Sequence, residues 1–158
     1  MNGELFNLST GTKLMHVPYK GAGPLTPALL SGEVAMAFDG MGTAAPNVQS
    51  GKLRALAVTT AKRSELLTEV PTLQESGINI NVTTWYALWG IKGTPQPIVD
   101  RMYQATVKAL NAPQIKKVWE NLGATAGGQS PAEFGKFVRG EIETWGKVVK
   151  ASGAKVEN

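Results

Sequence analysis

Three observations on this 158-residue chain predict an α/β fold. Short apolar or β-branched runs alternate with helical segments through the first half, glycines close most of those segments, and from about residue 94 the sequence turns wholly helical. Strand–helix alternation at this spacing argues for a largely parallel sheet with helices packed on it.

The opening "MNGELFNLSTG" reads as the last turns of a helix, with Leu5, Phe6 and Leu8 on its apolar face and Gly11 as its stop. A strand at 14–17 follows, then a helix from about Pro24 to Ser31 stopped by Gly32, a strand at 34–38 and a short helix ending near Gly51. The run 53–59, "LRALAVT", is apolar enough for a buried strand, and a short helix at 71–76 closes at Gly77. Residues 80–93, "INVTTWYALWGIKG", form a long aromatic and β-branched run, predicted as one or two extended strands. Thr94-Pro95 then sets a cap with proline at the first helical position, and Ile98, Met102, Ala105 and Ala109 recur at helical spacing. Asn111-Ala112-Pro113 breaks that helix and starts another, with Ile115, Val118, Trp119 and Leu122 on one face and Gly123 at its end. The final helix opens on a capping box, Ser130-Pro131-Ala132-Glu133. Its stripe of Phe134, Phe137, Val138, Ile142, Trp145, Val148 and Val149 reads as core. The switch from mixed to helical sequence near residue 92 marks the expected lobe boundary.

Composition is that of a globular domain, with 42% hydrophobic and 18% charged residues and a net charge of +4. Lysines and arginines stand singly among acids, so no basic stripe points to nucleic acid, although a mildly basic surface attracts acidic small molecules. The absence of cysteine excludes disulfides, thiolate catalysis and cysteine-ligated metal, and the single His16 argues against paired-histidine metal sites and a catalytic triad. No apolar run approaches the roughly 20 residues of a membrane span, and the first residues lack the charged and apolar regions of a secretory signal.

The stretch "HVPYKGAGP" places Tyr19, Lys20, Gly21, Ala22 and Gly23 between a predicted strand and a helix start. It is neither a Walker loop, since no Gly-Lys-Ser/Thr follows, nor a dinucleotide fingerprint, since Pro24 and Thr26 fill the later places. Two readings stand side by side: a tight turn, or a cradle whose free backbone N–H groups bind a carboxylate, with Lys20 adding positive potential. Asp39 directly follows 34–38 and precedes "GMGT", which puts it at the sheet edge where ligands of open α/β folds sit. A turn or cap residue is the alternative there. Glu4 and Glu33 read as solvated surface charges. With no G-x-S-x-G and no acid–base pair at a strand end, binding is favoured over catalysis.

Four blocks, "HVPYKGAGP", "LLSGEVAMAFDG", "GKLRALAVTTAKRSELLTEVPTLQESG" and "GTPQPIVDRM", resemble the solute receptors of tripartite tricarboxylate transporters, the Bug-type periplasmic binding proteins. The resemblance runs through essentially the whole chain. It implies a type II periplasmic-binding-protein fold, two α/β lobes closing on a small organic carboxylate held by backbone amides, hydroxyls and water. It also implies a periplasmic location, membrane components of the transporter as partners, no cofactor and no catalysis. Carried over residue by residue, the ligand-binding contribution falls on Tyr19, Lys20, Gly21, Ala22, Gly23 and Asp39, which favours the carboxylate cradle.

On the same resemblance, 1–80 make most of lobe two, 81–93 form the crossover, and 94–158 are the C-terminal helical part of lobe one. Ala87 and Ile91-Lys92 depart from the glycine and proline-alanine more usual in the crossover. Family members are longer and carry a signal peptide and an N-terminal segment, so the chain resembles a C-terminal half, lacking the N-terminal part of lobe one. The expectation that follows is exposure of Trp119, Phe134, Phe137 and Trp145, with self-association or capture by a partner supplying the other half. A remnant or interaction module with no solute binding of its own is the competing class.

Overall fold

The computed structural model describes residues 1–153, in which six helices follow one another. They are α1 Asn2–Thr10, α2 Ala22–Ser31, α3 Met41–Gln49, α4 Gln96–Leu110, α5 Pro113–Asn121 and α6 Pro131–Ser152. Helices α1 and α2 end where expected, on Gly11 and Gly32 in the left-handed conformation. Helix α2 begins two residues before Pro24, which places that proline in its first turn. Pro95 is the N-cap of α4 and not its first helical residue, and the Thr94 hydroxyl donates backwards to the Ile91 carbonyl at 2.7 Å. The capping box of α6 is complete. The Ser130 N–H donates to Glu133 Oε2 at 2.9 Å and the Glu133 N–H donates to Ser130 Oγ at 3.3 Å. The Ser130 hydroxyl also donates to Glu133 Oε2 at 2.6 Å.

The strand assignments at 14–17, 34–38, 53–59 and 80–93 need correction, because none forms a ladder among the described residues. The pairing present is one parallel bridge, Val58 with Thr72, in which the Val58 N–H donates to Pro71 O and the Leu73 N–H to Val58 O, both at 2.9 Å. Residues 73–77, expected as the end of a short helix, are consecutive turns instead, with the Ile78 N–H donating to Leu73 O at 2.9 Å. An apolar run marks a segment that can be buried, whereas a strand exists only where a neighbour supplies the opposing N–H and C=O groups.

The described residues divide into two compact units: residues 1–84 together with 146–153, and residues 85–145. In the first, Ala45 of α3 is buried with Val58, Leu67 and Val70, and Met41, Val48, Ala55 and Leu66 pack against that cluster. The rings of Phe6 and Phe38 meet at 5.8 Å. The segment 58–82 is drawn together by polar bonds. Thr59 and Val82 exchange two, each at 2.9 Å, from the Val82 N–H to Thr59 O and from the Thr59 hydroxyl to Val82 O. The buried Thr72 gives its N–H to Glu75 Oε2 at 2.7 Å, and Arg63 Nε donates to both Glu75 oxygens at 3.1 and 3.0 Å.

These donors, Arg63 first and the Thr72 N–H next, hold the Glu75 carboxyl below its ordinary value of 4.5. A carboxyl lowered by folding adds stability that is present above the unfolded value and lost as the pH falls through the folded one. Glu75→Gln is therefore expected to lower the unfolding midpoint modestly near neutrality, to leave it unchanged at strongly acid pH, and so to flatten the fall that the parent shows below about 4.5. Thermal melts followed by circular dichroism from neutral to strongly acid pH measure it. An acid limb as steep in the variant as in the parent would refute this role.

In the second unit, α4, α5 and the first part of α6 accompany an aromatic cluster. Trp85 meets Phe134 edge-on at 5.6 Å and Phe137 at 5.5 Å, and Trp89 lies 5.5 Å from Phe134. The Tyr103 hydroxyl donates to Gly128 O at 3.1 Å, fastening the loop before α6 onto α4. The expected exposure of Trp119, Phe134, Phe137 and Trp145 needs correction, because all four are half-buried; of the rest of the α6 stripe Val138 is half-buried and Val148 buried, while Ile142 and Val149 are exposed. Among the described residues no helix is long and apolar enough to cross a membrane.

Candidate anion-binding loop

The loop before α2 owes its shape to Gly21, whose φ of 92° and ψ of −175° form a conformation that residues with a Cβ rarely adopt. Its N–H donates to Tyr19 O at 2.9 Å, and the chain turns sharply into α2. As N-cap, Gly21 has no side chain to cap the helix. The first-turn N–H groups of Ala22 and Gly23 therefore find no side-chain acceptor among the described residues, and Pro24 has none to offer. The Thr26 hydroxyl is already committed to Ala22 O at 2.9 Å. A Cβ built on Gly23 would meet nothing within 4 Å. Two unspent N–H donors, the positive end of a helix and open space above them suit an oxyanion. Lys20, adjacent in the chain, is exposed and forms no ion pair among the described residues.

Tyr19 is half-buried, and its hydroxyl donates to Glu33 Oε1 at 3.0 Å, joining the residues on either side of α2. Burial first, then the hydrogen bond and charge of Glu33, raise the phenol above its ordinary value of 10.0, so it remains a donor at neutral pH. Asp39 lies just before α3. Its Oδ1 accepts the Gly40 N–H at 2.8 Å and its Oδ2 accepts the Thr43 hydroxyl at 2.7 Å. Both oxygens thus organise the start of α3, and no hydrogen bond links Asp39 to 19–23 among the described residues.

The structure thus brings Tyr19 to Gly23 together at one helix start and places Asp39 at the next. Sequence reasoning missed two partners. Thr43 was signalled by its four-residue step from Asp39 in "DGMGT"; Glu33, though exposed, is bonded to Tyr19 from fourteen residues away, for which no local pattern exists. Elsewhere in the first unit, an open depression of about 490 Å³ between Val48, Arg54, Glu69 and Pro71 includes none of the six site residues.

Residues 1–154 match the family described as the tripartite tricarboxylate transporter family receptor. The chain belongs to that receptor family. Protein BugT of Bordetella pertussis is 35% identical over 155 residues, covering 98% of this chain and 48% of BugT. Among solved structures of similar proteins, R. palustris Rpa4515 with adipate is 34% identical with a TM-score of 0.84, covering 96% of this chain and 51% of that one. MatC from Rhodopseudomonas palustris with bound malate is 30% identical with a TM-score of 0.82, covering 92% and 51%. The chain spans about half the length of the curated relatives it matches. Its architecture is therefore part of a type II periplasmic-binding-protein fold. The α/β class expected of a receptor of this family holds at the level of that superposition, even though the expected strands lack ladders among the described residues.

Proposed function

We propose that these residues supply one wall of the carboxylate site in a periplasmic solute receptor that hands its cargo to the membrane components of a tripartite tricarboxylate-type transporter. The observation that carries the reading is the unspent pair of first-turn donors at Ala22 and Gly23, beneath open space and beside Lys20. In this reading one ligand carboxylate sits on those two N–H groups, in a cleft between the receptor's lobes. Gly21 sets the turn, Lys20 raises the local potential, and the Tyr19–Glu33 bond holds the loop. Asp39, already satisfied on both oxygens, would repel a bare carboxylate and so faces a ligand hydroxyl or protonated acid. The adipate and malate of the two similar structures are both dicarboxylates, which suits a receptor that captures small organic acids and transforms none.

Calorimetry against mono-, di- and tricarboxylates tests it, on a receptor joining this chain to the part of Rpa4515 that it does not cover. At least one acid should bind. Gly23→Ala should then weaken binding about tenfold or more, equivalent to about 1.4 kcal/mol, because the added methyl fills the space above the donors. The same change should leave folding intact or raise stability by up to about 1 kcal/mol, since alanine is the better helix former. Asp39→Ala should alter the preference between malate and adipate more than it alters folding. Absence of heat with every acid, or undiminished binding by the Gly23 variant, would overturn the assignment.

A further inference from the structure

Val58 and Thr59 face opposite neighbours, as consecutive residues of an extended chain do. The Val58 N–H and C=O bond Pro71 and Leu73, while Thr59 bonds Val82. Continued upstream at the same period of two, the main-chain groups of Leu56 and Arg54 turn to the side on which Thr72 lies. Among the described residues no N–H or C=O of 54–57 makes a hydrogen bond. The facing wall cannot pair with them, because the Val70 N–H is spent on Leu67 O at 3.1 Å and Pro71 has none to offer. The two stretches part upstream of the Val58–Thr72 bridge, and both line the depression of about 490 Å³.

That depression combines an apolar lining with one charge of each sign. Val48, Leu53, Val70 and Pro71 line it, and Leu56 beside them is 64% exposed. Arg54 and Glu69 line it as well, stand exposed, and form no ion pair among the described residues. An extended peptide can satisfy all of these features at once. Its backbone supplies the missing ladder bonds, an aliphatic side chain fills the hollow, and an acid and a base meet Arg54 and Glu69. A small apolar molecule would leave the main-chain groups and both charges without partners.

We propose that residues 53–57 are a docking edge for an extended peptide segment of a partner protein, one carrying an aliphatic residue with an acid and a base two places to either side. The edge lies wholly in the first compact unit and includes none of Tyr19 to Gly23 or Asp39, so it acts whether or not an acid is bound at that loop.

A fluorescein-labelled heptapeptide tests it, with leucine at the centre, glutamate and lysine two places to either side in either order, and threonine elsewhere. Added to the full 158-residue chain, one of the two orders should bind with a dissociation constant below about 1 mM, read by anisotropy. In hydrogen-exchange mass spectrometry, fragments covering 53–57 should gain protection when it binds. N-methylation at one alternate set of peptide positions should weaken binding about tenfold, and at the other set should not, because every second N–H faces the edge. Alanine in place of the central leucine should cost about tenfold as well. Arg54→Glu should weaken binding about fivefold, and lysine in place of the peptide's glutamate should restore it. These changes alter the peptide or one exposed side chain, so they leave the fold in place. Failure of both peptides to bind overturns the assignment; if Leu56→Lys then shifts the sedimenting chain toward monomer, the edge is a contact between copies. Equal affinity for N-acetyl-leucine amide, or indifference to N-methylation at every position, overturns it too, and would leave the depression a site for small apolar molecules.

Discussion

Trp85→Ala is expected to lower the stability of the 85–145 unit by about 3 kcal/mol, the low end of the range for deleting a large aromatic side chain because the ring is half-buried. The loss has three parts. Apolar area returns to water; two edge-on pairs with Phe134 and Phe137 disappear, each worth about 0.5–1.5 kcal/mol; and the donor to Glu141 goes. Trp85→Phe separates them, since it keeps most of the packing and removes the bond, at about 1 kcal/mol. Urea unfolding monitored by circular dichroism measures both. A cost for the alanine variant no larger than for the phenylalanine variant would mean that the aromatic cluster does not hold this unit together.

The second large effect is association. Tyr86, Leu88, Trp89 and Ile91 are exposed to 88, 65, 64 and 87% within six consecutive residues. Soluble monomers rarely leave contiguous apolar surface of that kind uncovered. The same segment has backbone groups with no ladder partner among the described residues, which invites pairing with another strand. Sedimentation velocity on the purified chain should therefore show dimers or larger species, and Leu88→Lys with Ile91→Lys should shift them toward monomer with an unchanged far-ultraviolet spectrum. Carboxylate binding by the chain alone should be weak or undetectable. A compact monomer that binds an acid at micromolar concentration would contradict both expectations.

What could be foreseen from sequence follows the range of the interactions involved. The helices were legible because their signals are local: Gly11 and Gly32 as stops, Pro113 opening α5, and the reciprocal Ser130–Glu133 box. Boundaries slipped where two local devices competed. Thr94 and Pro95 suggested a cap and a first helical residue, yet the threonine hydroxyl is satisfied by Ile91 and the proline becomes the cap. The strands failed for a different reason. Residues 53–59 are apolar as expected, but the partners they meet are single residues, Thr72 for Val58 and Val82 for Thr59, and nothing in these segments names the others. At the candidate site, the glycine turn and the two free donors were readable from "YKGAGP" because they depend on backbone conformation at adjacent residues. The Tyr19–Glu33 and Trp85–Glu141 bonds join residues fourteen and fifty-six apart, and only the folded chain discloses them.

The first compact unit is assembled from two separate stretches, 1–84 and 146–153, which orders events during synthesis. The ties between 58 and 82 span short separations, so that knot can close as soon as residue 82 has left the ribosome. The 85–145 unit is continuous and can be completed next. Residues 146–153 emerge after that unit, yet they belong with residues 1–84, and Val148 among them is buried. Of the two units, the one that can begin folding first is thus the one completed second, after α6 has been translated.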